Sequence, residues 1–129
     1  IGDNYMVASG VPVPREDHAQ VMTLLALDMM AGLKDIPVRH GKRMEFRIGI
    51  NSGPLIAGVI GRSKYQYDVW GDAVNIASRM ESHSLPGKVH IGKATYELIK
   101  DDFECERRGV IPIKGKGEME TWFVLARKA

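Results

Sequence analysis

The chain has 129 residues, enough for one domain with a hydrophobic core, and its 44% hydrophobic and 26% charged content is that of an ordinary globular protein. A formal net charge of +2 is too small to argue for nucleic acid as a partner on charge alone. A lone cysteine, Cys105, excludes an intrachain disulfide, His18, His40, His83 and His90 show no zinc-ligand spacing, and no apolar run approaches the ~20 residues of a membrane helix.

In chain order, Asn4 to Ser9 reads as a strand leaving a Gly2-Asp3-Asn4 turn, and Gly10 to Pro14 reads as a break. Ile1 falls within strand-like sequence, so the chain is expected to be a piece of a longer protein. Asp17, with Gln20 three residues on, resembles a capping box. The helix it opens runs to about Leu33, with Met22, Leu25, Ala26, Met29 and Leu33 as the expected buried face. After a polar connection over 34–43, Met44 to Ile50 alternates as a half-buried strand. Met44, Phe46, Ile48 and Ile50 share the core face, and Arg47 points the other way. Asn51-Ser52-Gly53-Pro54 is a turn, Leu55 to Ile60 a short apolar strand, and Arg62 to Gln66 a polar loop.

Tyr67 to Met80 starts as a strand and becomes a helix at Gly71-Asp72, with Asp72 as the expected N-cap. Ala73, Ile76, Ala77 and Met80 form one apolar stripe, while Asn75 and Arg79, four apart, project from the opposite side. A guanidinium offers a fixed fork of donors to phosphate oxygens, and a carboxamide both donates and accepts, so the pair suits work on a polyphosphate. On its own, a solvated helix face is the plainer account. Pro86-Gly87 then turns the chain into a strand, Lys88 to Ile91, and Lys93 to Lys100 is a short helix. Phe103 to Arg108 reads as a strand, Val110 to Ile113 leads into Lys114-Gly115-Lys116-Gly117, and Thr121 to Ala126 is the last strand. This order favours an α+β fold with helices packed on a mostly antiparallel sheet.

Three further places carry chemical potential. Asp3 is a common kind of turn residue, and equally a carboxylate of the type that shares Mg²⁺ with phosphates and water. The Lys114-Gly115-Lys116-Gly117 stretch is a solvated hairpin tip, or a phosphate contact in which glycines allow close approach. Arg47 is a solvated or cross-strand residue unless something outside the strand recruits it.

Together these residues resemble the catalytic domain of class III nucleotidyl cyclases, most like the bacterial and animal membrane-type adenylate cyclases. The resemblance runs from Ile1 to about Arg127. It rests on Ile1-Gly2-Asp3-Asn4-Tyr5-Met6, on Arg47-Ile48-Gly49-Ile50-Asn51-Ser52-Gly53-Pro54, on the run from Tyr67 to Glu81, and on Lys114-Gly115-Lys116-Gly117. It implies a ferredoxin-like palm and an adenylate cyclase acting in intracellular signalling. In that reaction the ribose 3′-oxygen of ATP attacks the α-phosphate, giving 3′,5′-cyclic AMP and pyrophosphate. Two Mg²⁺ or Mn²⁺ ions held by two aspartates are implied, and Asp3 matches the second of these. Asn75 matches the asparagine that orients the ribose, and Arg79 the arginine that offsets charge on the α-phosphate. Lys114 matches the residue that grips the terminal phosphates, and Arg47 looks like the strand arginine that also reaches them. Asp68 matches the position that accepts from the adenine 6-amino group; an ionised carboxylate accepts but does not donate, which favours adenine over guanine.

The family works as a dimer with sites at the interface, so a head-to-tail homodimer with two equivalent sites is implied. Membrane contact is implied only through segments upstream, and a cytoplasmic place follows from the need for ATP. The first metal aspartate, the adenine-selecting lysine, a first strand and one or two helices stand before Ile1 in the family's pattern. Residues 1–129 are therefore read as a partial catalytic domain, expected to be impaired on its own. The alternatives are a guanylate cyclase, a non-catalytic cyclase-like regulatory module and, less fittingly, an RNA-binding sheet, for which no suitably spaced aromatic pair is present.

Overall fold

The computed structural model describes residues 6–10, 13–33, 46–54, 56–60 and 66–129. Their elements are α1 (His18–Leu33), β1 (Ile48–Ile50), β2 (Ile56–Ile60), β3 (Gln66–Trp70), α2 (Asp72–Ser82), β4 (Val89–Gly92), α3 (Lys93–Ile99), β5 (Phe103–Ile113) and β6 (Gly117–Arg127). Four strands form one sheet in the order β1-β4-β6-β5, and β2 pairs with β3 in a separate two-stranded ribbon. Only the β1–β4 pairing is parallel among the described strands; the other three are antiparallel. The architecture is the expected α+β palm.

Side-chain alternation divides the sheet into two faces. Ile48, Val89 and Val124 line up across β1, β4 and β6, as do Ile50, Ile91 and Trp122. These rows pack with Ala19 and Ala26 of α1 and Ile99 of α3 into the main core. Each large aliphatic side chain buried there contributes roughly 1.5–3 kcal/mol by leaving water. Tyr96 of α3 stacks flat on Trp122, ring centroids 4.0 Å apart. The intervening row, Gly49, His90 and Phe123, faces the other way, toward α2. Glycine is required at 49 by space: a Cβ there would overlap the α2 backbone at Met80 and Glu81. The strand and the helix therefore approach more closely than any side chain permits.

Several expectations are corrected. Met6 to Ser9 lie in no strand, while Asn4, Tyr5 and the Gly2-Asp3-Asn4 turn lie outside the described residues. Helix α1 buries Ala26 and Leu33 as expected and packs Met22 against the core, but Leu25 and Met29 are exposed and Ala19 and Thr23 are buried instead. Small residues let the helix sit close to the sheet, and the Thr23 hydroxyl is satisfied by donating to the Ala19 carbonyl at 2.8 Å. No capping box closes, because Asp17 pairs with Arg15 and the Gln20 amide donates to the Leu98 carbonyl at 2.7 Å. Of the strand expected from Met44, Met44 and Glu45 lie outside the described residues, Phe46 is exposed and Arg47 precedes the strand, which runs Ile48–Ile50. Downstream, the expected short strands are one long hairpin of β5 and β6. Gly109, between the two expected pieces, sits in a β-bulge at φ 120°, and Pro112 is tolerated because β5 is an edge strand among the described strands.

Candidate active site

Helix α2 is the spine of the site. Strand β3 delivers the chain to Gly71, whose φ of 128° a side chain would resist, and the Gly71 carbonyl accepts the first helical bond from Asn75 N–H at 3.2 Å. Gly71, not Asp72, is therefore the N-cap. Asp72 is the first helical residue, where a carboxylate suits the positive end of the helix dipole, and it pairs with Lys116 of the β5–β6 turn. The two faces fall where the periodicity puts them. Met80 is fully buried and Ala73, Ile76 and Ala77 half-buried, while Asp72, Asn75 and Arg79 form an exposed stripe.

The remaining predicted residues gather around this helix. Arg47, just ahead of β1, reaches α2 and pairs with Glu81, Nη2 to Oε2 at 3.1 Å. One of its five donors is used there, and the rest of the fork stays available to an anion. Asp68 lies in β3 opposite Gly58, four residues before the helix begins. Lys114 is exposed in the turn between β5 and β6, the same turn that Lys116 fastens to Asp72. Thus Arg47 meets the helix near its C-terminal end, at Glu81, about 200° round the helix from Arg79, and the lysine hairpin meets it at the N-terminal end, at Asp72 on the Asn75–Arg79 side. Asp3 lies outside the described residues, and among those described no three His, Cys, Asp or Glu side chains converge as a metal site. The described part supplies cationic and amide groups for an anionic substrate; it does not itself display the donors for a divalent ion.

Sequence reading missed three partners: Glu81 for Arg47, Lys116 for Asp72, and the pair His90 and Arg108 beneath α2. Each spans 18 or more positions in the chain, and no local pattern signals such a contact. Burial and the neighbouring Arg108 and His83 push His90 below the usual histidine range, only partly offset by its bond to the Met80 carbonyl. Burial pushes the Cys105 thiol up, against the opposing charge of Lys128, which disfavours the thiolate.

Residues 1–126 match the adenylate and guanylate cyclase catalytic domain. The chain belongs to that family. The cyclase domain is 48% identical over 127 residues to an adenylate cyclase of Mycobacterium tuberculosis, which covers 98% of this chain and 29% of that protein. It is also 48% identical over 128 residues to the soluble guanylate cyclase subunit beta-2 of Rattus norvegicus, covering 97% of this chain and 19% of the rat subunit. Among solved structures, it superposes with a TM-score of 0.88 on the guanylate cyclase domain of a Catenaria anguillulae protein in complex with GTP. That match has 42% identity and covers 93% of this chain and 66% of the other. The cyclase domain therefore spans less than a third of the two curated relatives.

Proposed function

We propose that this cyclase domain converts ATP to 3′,5′-cyclic AMP and pyrophosphate, at a site completed by a second copy arranged head to tail. The observation that carries the reading is the exposed Asn75–Arg79 stripe of α2, with the Lys114 hairpin fastened to its first residue, Asp72. An exposed polar stripe on the central helix suits a site that closes only when another subunit covers it. Arg79 offsets the charge that builds on the α-phosphate, and Asn75 holds the ribose so that its 3′-oxygen stays in line. Lys114 and Arg47 bind the outer phosphates, the lysine as a mobile point charge and the arginine as a fork braced by Glu81. Asp68 accepts from the adenine 6-amino group and turns guanine away. Two divalent ions, Mg²⁺ or Mn²⁺, supply activation of the attacking oxygen when bound, with Asp3 as one ligand. Supply of ATP places the reaction on the cytoplasmic side.

A guanylate cyclase is the second reading, favoured by the equal identity to the rat subunit. The test is product formation by the intact protein from ATP and from GTP, with Mg²⁺ and with Mn²⁺. Cyclic AMP in excess is expected. An excess of cyclic GMP would reverse the specificity, and bound nucleotide without either product would favour a regulatory module.

A further inference from the structure

The end of α2 is closed by side chains from the sheet. A helix leaves its last carbonyls without helical partners, and a following glycine commonly turns the chain back to satisfy them. Here the C-cap residue is His83, in right-handed conformation, and its N–H bonds the Arg79 carbonyl. The Glu81 carbonyl accepts from Ser84 N–H at 3.0 Å. Met80 and His83 are served differently. His90 of β4, fully buried, puts Nδ1 2.8 Å from the Met80 carbonyl, and Arg108 of β5 donates from Nη1 to the His83 carbonyl. Arg108 Nη1 also lies 3.4 Å from His90 Nε2, and its guanidinium sits over the Phe123 ring at 5.1 Å. One tautomer satisfies every contact: Nδ1–H donates to Met80 and bare Nε2 accepts from Arg108.

We propose that His90 and Arg108 are positioning residues for turnover: a cap, contributed by two strands, that fixes the last turns of α2 and thereby aims Arg79 and Asn75. The inference rests on the cyclase reading of α2. The grip is immediate in sequence, since Met80 directly follows Arg79. A side chain one ångström out of line costs far more in the transition state than in substrate binding, because the charge Arg79 meets is largest there. The cap also depends on proton state. A second proton on His90 would put an N–H against Arg108, in a buried site that His83 adjoins from the end of α2; Glu81 of α2, Glu106 of β5 opposite Phe123, and Lys88, just ahead of β4 and over Phe123 at 5.8 Å, are the other charged groups on this side of the sheet. Glu81 is engaged by Arg47 from beside β1, and Glu106 of β5, opposite Phe123 on the same face of the sheet, is exposed; the ring's own bonds go to the Met80 carbonyl and Arg108, and to neither carboxylate.

The experiment compares wild type, His90→Leu, His90→Asn and Arg108→Met in the intact protein, each with ATP and with GTP. His90→Leu removes the donor; His90→Asn keeps an amide donor near the Nδ1 position and cannot titrate. Expected for His90→Leu is a kcat, per folded molecule, lower by about 10²-fold with KM little changed. His90→Asn restores most of that turnover and shifts the acid limb of the kcat profile to lower pH. Arg108→Met carries the same kcat readout should His90→Leu not fold. Wild-type kcat per folded molecule in His90→Leu or Arg108→Met overturns the proposal. An inert wild type would instead sink the cyclase reading. The cap is then decided by amide hydrogen exchange at His83 and Ser84, which speeds up in His90→Leu if the cap holds and is unchanged if it does not.

Discussion

Asn75 and Arg79 share an exposed face of a helix whose opposite face ends in the fully buried Met80, so their side chains can be cut back without opening the core. That separation makes their roles measurable. Removing one preorganised donor from a developing charge typically costs 10²–10³-fold in rate, so kcat of Arg79→Ala is expected to fall by about that factor with nucleotide affinity largely kept. Asn75→Ala is expected to follow the same pattern, and steady-state kinetics with direct nucleotide titration checks both. Turnover intact in either variant removes that residue from the transition state. Asp68 calls for a different readout. Without its carboxylate, adenine loses an acceptor and guanine loses a repulsive contact, so Asp68→Ala is expected to lower the ATP-over-GTP ratio of kcat/KM by roughly tenfold or more. Unfolding midpoints should hardly move. The shared exposed face of Asn75 and Arg79 was legible in the sequence from their four-residue helical spacing, whereas the roles expected of them and of Asp68 came from the family resemblance. Glu81 and Lys116 were not legible, since nothing near Arg47 or Asp72 in the chain announces a partner that only folding brings close.

The α2 helix and strand β1 illustrate how much packing geometry rests on a missing side chain. Gly49 lets the strand lie against the helix backbone at Met80 and Glu81, and the same approach brings Arg47 within 3.1 Å of Glu81. Gly49→Ala must push the two apart, and overpacking of this kind costs typically ~1–3 kcal/mol. Chemical unfolding is expected to show that loss, with a further drop in turnover because Arg47 moves with the strand. Gly32, near the end of α1, is the control: a Cβ there meets nothing within 4 Å, and alanine in a helix is worth about 0.5–1 kcal/mol over glycine, so Gly32→Ala should stabilise. Equal effects of the two substitutions would mean that the β1–α2 approach is not tight. Most elements could be read from periodicity and turn residues. The face of α1 could be read only in part: Ala26 and Leu33 are buried as the period requires, but Leu25 and Met29 are exposed while Ala19 and Thr23 are buried and Leu24, Leu27 and Met30 pack on the core, because a helix rich in apolar residues all round has no single stripe in its sequence. The single β5–β6 hairpin could not be read, because Gly109 and Pro112 punctuate a sequence in the same way whether they end a strand or bulge it.

His90 ties the whole sheet-and-helix body to pH. It is fully buried, hydrogen-bonded as the neutral ring, and held below its ordinary pKa of about 6.5 by burial and by Arg108. Above that value the folded and unfolded chains both carry a neutral ring, and the histidine adds no pH dependence. As pH falls through 6.5, the unfolded chain takes up the proton first, so unfolding is favoured, and stability declines until the folded pKa is also passed. One proton of difference sets a limiting slope of about 1.4 kcal/mol per pH unit over that window. The carboxylates held low by neighbours, Asp17 by Arg15 and Glu97 by Lys100, are exposed pairs whose effect lies at more acid pH, below their ordinary range. Urea midpoints of wild type and His90→Asn, measured from about pH 5 to pH 8, should therefore diverge only below about 6.5. The wild type is expected to lose stability as pH falls, and the asparagine variant to stay flatter. Parallel curves would mean that the buried ring takes up a proton without disturbing the helix end, and the acid limb of turnover would then need another titrating group.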